Sequence, residues 1–327
     1  ERHQKFIEKY GERRFRMYRV LAILHHDISR KFNSKSHAEY DHQPCVFGSR
    51  ILDESDEKWN DENFINTRKK SEHLRKALEV FEKIDKKGIH KLEPKIKADI
   101  ALHVGCTGII STHDLMAKFY KISQENDHDY LFKSQVIDVK QANNGYELDI
   151  KNAQGEIEKV LSQWVINAAG LESDLVAHMI DEDSPSLRYS KGCYYKLSSK
   201  WRGAFKHLVY PLPNEKQGSL GIHLSFDETQ MMRLGPSADW TDGKEENYDV
   251  EEYLLDQFYS EGCQYIRGLE KEDLSPDYAG IRPKIWMDEN PMPDFYISHE
   301  QEKGFPGWIN LIGIESPGLT SAIAIGE

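Results

Sequence analysis

The segment Trp164-Val-Ile-Asn-Ala-Ala-Gly170 constrains the fold more than any other stretch of this sequence. It is an apolar run too short for a helix and closed by a glycine. That pattern reads as a buried strand whose carboxyl end faces a ligand, as in nucleotide-type sheets. Upstream, Gln135 to Lys140 and Tyr146 to Lys151 alternate around Asn143-Asn144-Gly145, so a β-hairpin is expected, and Gln154-Gly155 marks a further turn.

The rest of the chain mixes periods. Ser71 to Lys87 carries Leu74, Ala77, Leu78, Phe81 and Ile84 at helical spacing, with Gly88 where a C-terminal cap belongs. Thr112 is placed to cap a second helix with an apolar stripe of Leu115, Phe119 and Ile122. A charged surface helix is expected over Glu1 to Arg19, then a buried strand over Tyr18 to Leu24. Tyr194 to Met232 is strand-like, and Val250 to Ile266 is helical with Leu254 and Phe258 on one face. Tyr296-Ile297 and Trp308 to Ile314 read as strands, and Leu319 to Glu327 begins a helix. This irregular alternation points to a mixed α/β or α+β architecture, a nucleotide-type lobe with a larger antiparallel sheet.

Charge and cysteine content narrow the function classes. With a formal net charge of -12 over 327 residues, the chain is poorly suited to track phosphates, so no nucleic-acid partner is expected. Arg13, Arg14, Arg16 and Arg19 would suit an anion, with a solvated helix face near an acidic partner as the plainer reading. Cys45, Cys106, Cys193 and Cys263 are too scattered for a disulfide framework. The His37, His42, Cys45 cluster has no companion, so no metal site is expected. No run reaches the ~18 to 20 apolar residues of a spanning helix, which leaves a soluble or membrane-peripheral chain as the expectation. A start at Glu1 without Met suggests a processed or trimmed terminus.

The tract Ile309-Asn-Leu-Ile-Gly-Ile-Glu-Ser-Pro-Gly-Leu-Thr-Ser-Ala-Ile-Ala-Ile-Gly-Glu327 resembles the C-terminal strand, loop and helix of the flavin-dependent L-2-hydroxyglutarate dehydrogenases. Five further tracts agree in order: Thr107 to Ile110, Val165 to Gly170, Lys191 to Tyr195, Gly221 to Leu224 with Gly235-Pro236, and Tyr278 to Lys284. The resemblance covers about Asn63 to Glu327 and implies a two-lobed FAD-dependent oxidoreductase fold. It implies flavin contacts at Gly170, Gly313, Gly318, Leu319 and Thr320, where a glycine-rich loop leads into a helix N-terminus. For substrate, Arg282 is suited to fork onto a carboxylate, and His223 or His37 to accept the hydroxyl proton. Tyr194 and Tyr195 are candidates to line the pocket, with core packing as the other reading of a strand Tyr pair.

Departures from the family gather at the N-terminal end. No GxGxxG loop occurs, and the first glycine, Gly11, lies within a charged segment. Leu24 or His25 stands where the family has a ribose-binding Glu. In Asn33-Ser-Lys-Ser-His-Ala38 the tract is a residue short, and Glu39 replaces a glycine; Ser111 stands where the family usually has Asp. The expected organisation is an eroded FAD-lobe remnant over 1–50, an insertion over 51–100, a FAD-lobe helix and hairpin region over 101–177, an antiparallel-sheet substrate lobe over 178–304, and a C-terminal FAD-lobe strand and helix over 305–327. These losses favour a degenerate member with no bound cofactor, an accessory subunit among other protein subunits of a mitochondrial assembly. The alternative is an active enzyme oxidising L-2-hydroxyglutarate to 2-oxoglutarate through FAD.

Overall fold

The computed structural model describes residues 45–47, 81–104, 108–211, 221–287, 290–291 and 294–326. The expectations for Glu1 to Arg19, Tyr18 to Leu24, His37, His42 and Glu39 lie outside the described residues. In chain order the described strands and helices open with β1 (Cys45–Phe47), β2 (Phe81–Asp85), α1 (Lys86–Leu92), β3 (Ile100–Val104) and α2 (Thr112–Gln124). A three-stranded meander follows: β4 (Gln135–Ala142), β5 (Gly145–Lys151) and β6 (Ile157–Ser162). Then come β7 (Val165–Asn167), α3 (Ser173–His178), β8 (Ser186–Leu197), β9 (Val209–Pro211), β10 (His223–Phe226), β11 (Met232–Gly235) and β12 (Asp239–Trp240). The chain continues through α4 (Leu255–Tyr265), β13 (Leu274–Met287), β14 (Asn290–Pro291), β15 (Tyr296–His299) and β16 (Trp308–Ile312) to α5 (Gly318–Gly326).

The chain divides into two compact units, and the division falls inside two strands, β8 and β13. The described residues of the first unit lie within 45–111, 193–238 and 249–279. Its sheet runs in the order β13-β8-β11-β10-β9-β1-β3-β2; β8–β11, β11–β10, β10–β9, β9–β1 and β3–β2 are antiparallel and β1–β3 is parallel. Alternation sends Tyr195, Leu197, Leu224, Leu234 and Val209 to one face, where Phe258 and Tyr265 of α4 close a buried core with Trp201 and Phe205. Gly262 lets α4 approach the sheet: a Cβ there would stand 2.6 Å from Leu234 Cδ1. The other face carries Tyr194, Lys196, Tyr210, His223 and Arg233.

The second unit comprises residues 112–192, 239–248 and 280–327. Its meander follows the expected hairpin, with Ala142 opposite Gly145 and Asn143-Asn144 as the two-residue turn. Tyr146, Leu148 and Val139 pack with Trp308 in a small core. A second sheet has the order β15-β16-β7, and its β16–β7 contact is parallel. In this unit β8 pairs with β12, while β13 pairs with β14.

Two local expectations are overturned. Phe81 to Asp85, expected as the end of a helix, is a strand paired with Ile100–Val104, and Gly88 lies inside α1 instead of capping an earlier helix. The spacing of Phe81 and Ile84 suits a helix, but non-local pairing decides the segment. Gly88 N donates to Asp85 Oδ1 at 2.8 Å, so Asp85 is the N-cap of a new helix. The stripe expected on α2 is also not a buried face: Phe119 and Ile122 are both exposed.

Candidate flavin and carboxylate site

Parallel pairing brings two of the expected cofactor loops to one edge. Because β7 and β16 run in the same direction, with Trp308 opposite Val165 and Asn310 opposite Asn167, the loops that follow them leave from the same carboxyl end. One of these loops holds Gly170, the other Gly313 to Thr320. Gly170 has φ 60 and open space where a Cβ would be, so a cofactor can approach its backbone closely. Gly313 has φ 70, and a Cβ there would meet Ile285 Cγ1 at 2.4 Å. Its glycine is required by packing against β13 as well as by the turn. α5 begins at the buried Gly318, one residue before the expected start, and Leu319 and Thr320 follow as exposed residues of its first turn. The first turn of a helix presents backbone N–H groups and a positive dipole end to an electron-rich group.

A buried polar network behind this edge holds the Gly170 loop in place, and sequence reasoning missed it. Asn167 Nδ2 donates to Ser173 O at 2.7 Å, and Ala169 N donates back to Asn167 Oδ1 at 3.3 Å. Ser173 Oγ donates to Gly170 O at 2.8 Å. Asn310 Oδ1 accepts from Trp308 Nε1 at 2.9 Å, while Asn310 Nδ2 donates to Glu300 Oε1 at 3.1 Å. All of these side chains are nearly inaccessible to solvent, so each polar atom needs its partner. Nothing in the local pattern flags them, because the two halves of the network meet only where Asn167 Nδ2 donates to Asn310 Oδ1, 143 residues away.

Arg282 and Lys284 alternate onto one face of β13. Arg282 Nη1 lies 3.5 Å from Glu315 Oε2, and Lys284 Nζ pairs with Glu315 Oε1. Glu315 belongs to the loop that leads into α5. The carboxylate-binding candidate Arg282 is therefore tied to the cofactor-loop candidates through a single carboxylate, with two cations sharing it.

The remaining candidates lie in the first unit. His223 is nearly buried, its ring stacked on Tyr210 at 4.4 Å, with Nδ1 3.4 Å from Gly221 O. Burial pushes the Tyr210 phenol above its usual range. Tyr194 stacks on Tyr278 at 4.6 Å. Arg233, held by Asp277 at 2.5 Å and Asp227 at 2.6 Å, sits 5.7 Å from the Tyr278 ring. Tyr195 is placed differently from the pocket-lining expectation. Its side chain is fully buried in the core beside Phe258, and its hydroxyl donates to Glu251 O at 2.6 Å. Neighbouring residues on a strand point to opposite faces, so only Tyr194 of the pair faces away from the core.

Comparisons with known proteins agree with this geometry. Residues 6–327 match the FAD dependent oxidoreductase family. The mitochondrial L-2-hydroxyglutarate dehydrogenase of Arabidopsis thaliana is 30% identical over 276 residues, 72% of this chain and 56% of that protein. The L-2-hydroxyglutarate dehydrogenase of Escherichia coli K12 is 25% identical over 272 residues, 73% of this chain and 62% of that protein. The chain thus spans less than two thirds of the length of these relatives. Among solved structures, the FAD-bound L-alpha-glycerophosphate oxidase of Mycoplasma pneumoniae shares the fold with a TM-score of 0.66 at 20% identity, covering 93% of this chain and 77% of that one. The L-proline dehydrogenase of P. horikoshii does so with a TM-score of 0.61 at 16% identity, covering 92% and 75%. By sequence match, fold and the arrangement of its strand-end loops, this chain belongs to the FAD-dependent oxidoreductase family, where it is similar to the L-2-hydroxyglutarate dehydrogenases.

Proposed function

We propose that the chain carries out the flavin-dependent oxidation of a 2-hydroxycarboxylate of the 2-hydroxyglutarate class to the 2-oxo acid. The observation that carries this reading is the emergence of the Gly170 and Gly313 to Thr320 loops from one carboxyl edge of a parallel strand pair. Ligands of open α/β sheets bind at that edge. The bare backbone at Gly170 and the exposed first turn of α5 fit a flavin ring and its ribityl chain. FAD therefore replaces the expectation of a cofactor-free chain, and when bound it would supply the two-electron acceptor.

The roles of the protein groups follow from their chemistry. Arg282 offers a planar fork to the substrate carboxylate, with Lys284 as a second cation. His223 accepts the hydroxyl proton as the C2 hydrogen leaves with its electron pair. The Gly221 carbonyl, 3.4 Å from Nδ1, favours the tautomer protonated there. Tyr194 contributes an aromatic wall. His37 is a second proposed proton acceptor.

A non-catalytic role as an accessory subunit of a mitochondrial assembly is the second reading. It is favoured by Leu24 or His25 at the ribose-carboxylate position and by Glu39 in place of a glycine. Mitochondrial placement has the support of the names of eukaryotic relatives, plant and bovine among them, whereas the bacterial relative carries no such word. One preparation separates the two readings. Supplied with FAD, the purified chain should hold about one flavin per chain by visible absorbance and reduce a dye when L-2-hydroxyglutarate is added. A colourless chain that co-purifies with other subunits would overturn the enzyme reading.

A further inference from the structure

Arg188 is held on an aromatic platform. Its guanidinium carbon lies 4.3 Å from the Trp286 ring centroid and 5.5 Å from that of Trp240, and the two indoles meet edge-on at 5.4 Å. These three residues belong to the second unit, which also holds Arg282, Lys284 and Glu315. No carboxylate pairs with Arg188 among the described residues. Stacking fixes the plane of a guanidinium through its face and leaves the N–H edges open for a bidentate contact.

The position of this cation is set by the sheet. β8, which carries Arg188, neighbours β13, which carries Trp286. Arg282, Lys284 and Trp286 are two residues apart in succession, so alternation puts them on one face, and the Arg188–Trp286 contact puts Arg188 on that face too. Among the described residues of the second unit, Arg188, Arg282 and Lys284 are cations on that face, and Glu315 pairs with the latter two. On a chain of net charge -12, this is a local excess of positive charge. Lys284 lies about 7 Å along the strand from Trp286, at ~3.4 Å per residue. Arg188, stacked on Trp286, thus adds a further cation to the face that holds Arg282 and Lys284, as an anion charged at both ends requires.

We propose that Arg188 is a specificity-determining residue that receives the carboxylate distal to the hydroxyl, so that the site selects C4 to C5 dicarboxylic 2-hydroxy acids over monocarboxylic ones. Arg282 and Lys284 take the proximal carboxylate. Trp286 and Trp240 act as positioning residues for the Arg188 fork. The assignment rests on the 2-hydroxycarboxylate reading given above.

The test is calorimetric titration of the FAD-supplied full chain with L-2-hydroxyglutarate and with L-2-hydroxyvalerate, which has the same five carbons but no distal carboxylate. The wild-type chain should bind the diacid about 10- to 100-fold more tightly, the worth of one charge-assisted contact. Arg188→Gln should abolish that preference while leaving the affinity for the monoacid unchanged. Arg188→Lys, which keeps the stem and the charge but not the fork, should keep part of it and covers the case in which the Gln variant misfolds. An unchanged preference in both variants, or equal weakening of both ligands, overturns the role of Arg188 alone. A wild-type chain that binds both acids equally does the same. A wild-type chain that binds neither acid overturns this assignment together with the functional reading beneath it.

Discussion

Asn167 Nδ2 donates to Asn310 Oδ1 at 2.9 Å, joining the two parallel strands whose ends carry the candidate flavin loops. Trp308 fixes the orientation of both amides. An indole N–H can only donate, so Asn310 must present its oxygen to Trp308, and Asn167 must present its NH2 group to that same oxygen.

Asn167→Asp should therefore destabilise the second unit more than Asn167→Ala does. Alanine leaves Ser173 O without its donor at a cost of about 1 to 3 kcal/mol. Aspartate fills the space but sets a carboxylate against two buried acceptors. Thermal melts of the two variants check the order, and flavin retention should fall with it. An Asp variant as stable as wild type would remove the network from the account of the loop.

Gly313→Ala should cost about 2 kcal/mol or more, from positive φ together with collision against Ile285. The damage should concentrate in the cofactor loop. Hydrogen exchange should show faster opening of 313–320 with the β4–β6 meander unchanged. Uniform protection in both regions would contradict the packing assigned to this glycine.

Gly262→Ala sets two effects against each other. A helix gains about 1 kcal/mol when Gly becomes Ala, and overpacking a tight contact costs about 1 to 3 kcal/mol. The added Cβ would lie 2.6 Å from Leu234 Cδ1 and 2.9 Å from Leu269 Cδ2, both of them buried side chains. Crowding should win, so the midpoint of urea unfolding should fall. A rise in that midpoint would mean that α4 has room to shift.

Acid should loosen the Asp227, Arg233, Asp277 cluster within a narrow window. Partial burial raises the Asp227 pKa, but hydrogen bonds from Thr229, Arg233 and the Met231 backbone outweigh it and hold the carboxyl at about 2, below its usual 3.8. A depressed folded-state pKa means that the contribution to stability is present above the unfolded value and is lost as pH falls from about 4 through about 2. Asp227→Asn should flatten the stability profile over that interval and leave it unchanged at neutral pH apart from a constant offset. An acid transition of the same steepness in the variant would place the responsible group elsewhere.

Local patterning made much of this architecture legible. The Asn143-Asn144 turn between alternating runs, the helix holding Phe258, and the Gly313 to Leu319 turn into a helix all encode their shape over a few residues. Phe81 to Asp85 was not legible, because its helical spacing is genuine and its fate depends on Ile100–Val104. The Asn167 to Glu300 network and the Trp-clamped Arg188 were equally hidden. Each is assembled by strand register between distant segments, and an Asn or an exposed Arg gives no sign in isolation of what it will meet. Tyr194 and Tyr195 show the limit from the other side: adjacency drew both into the candidate pocket, and the alternation of one strand separated them.

Gly235 stands opposite His223, has φ 142, and a Cβ built on it would lie 2.6 Å from the Tyr194 ring. Every replacement for glycine carries that Cβ, so no mutation at this codon can reshape the ring's surroundings by degrees. Drift in what this face of the sheet recognises must then enter through side chains with room to change, such as the half-exposed Tyr278 that stacks on Tyr194. A directed-evolution library spent on position 235 would return mainly unfolded or displaced sheets, whereas one on position 278 would sample new surfaces on an intact frame.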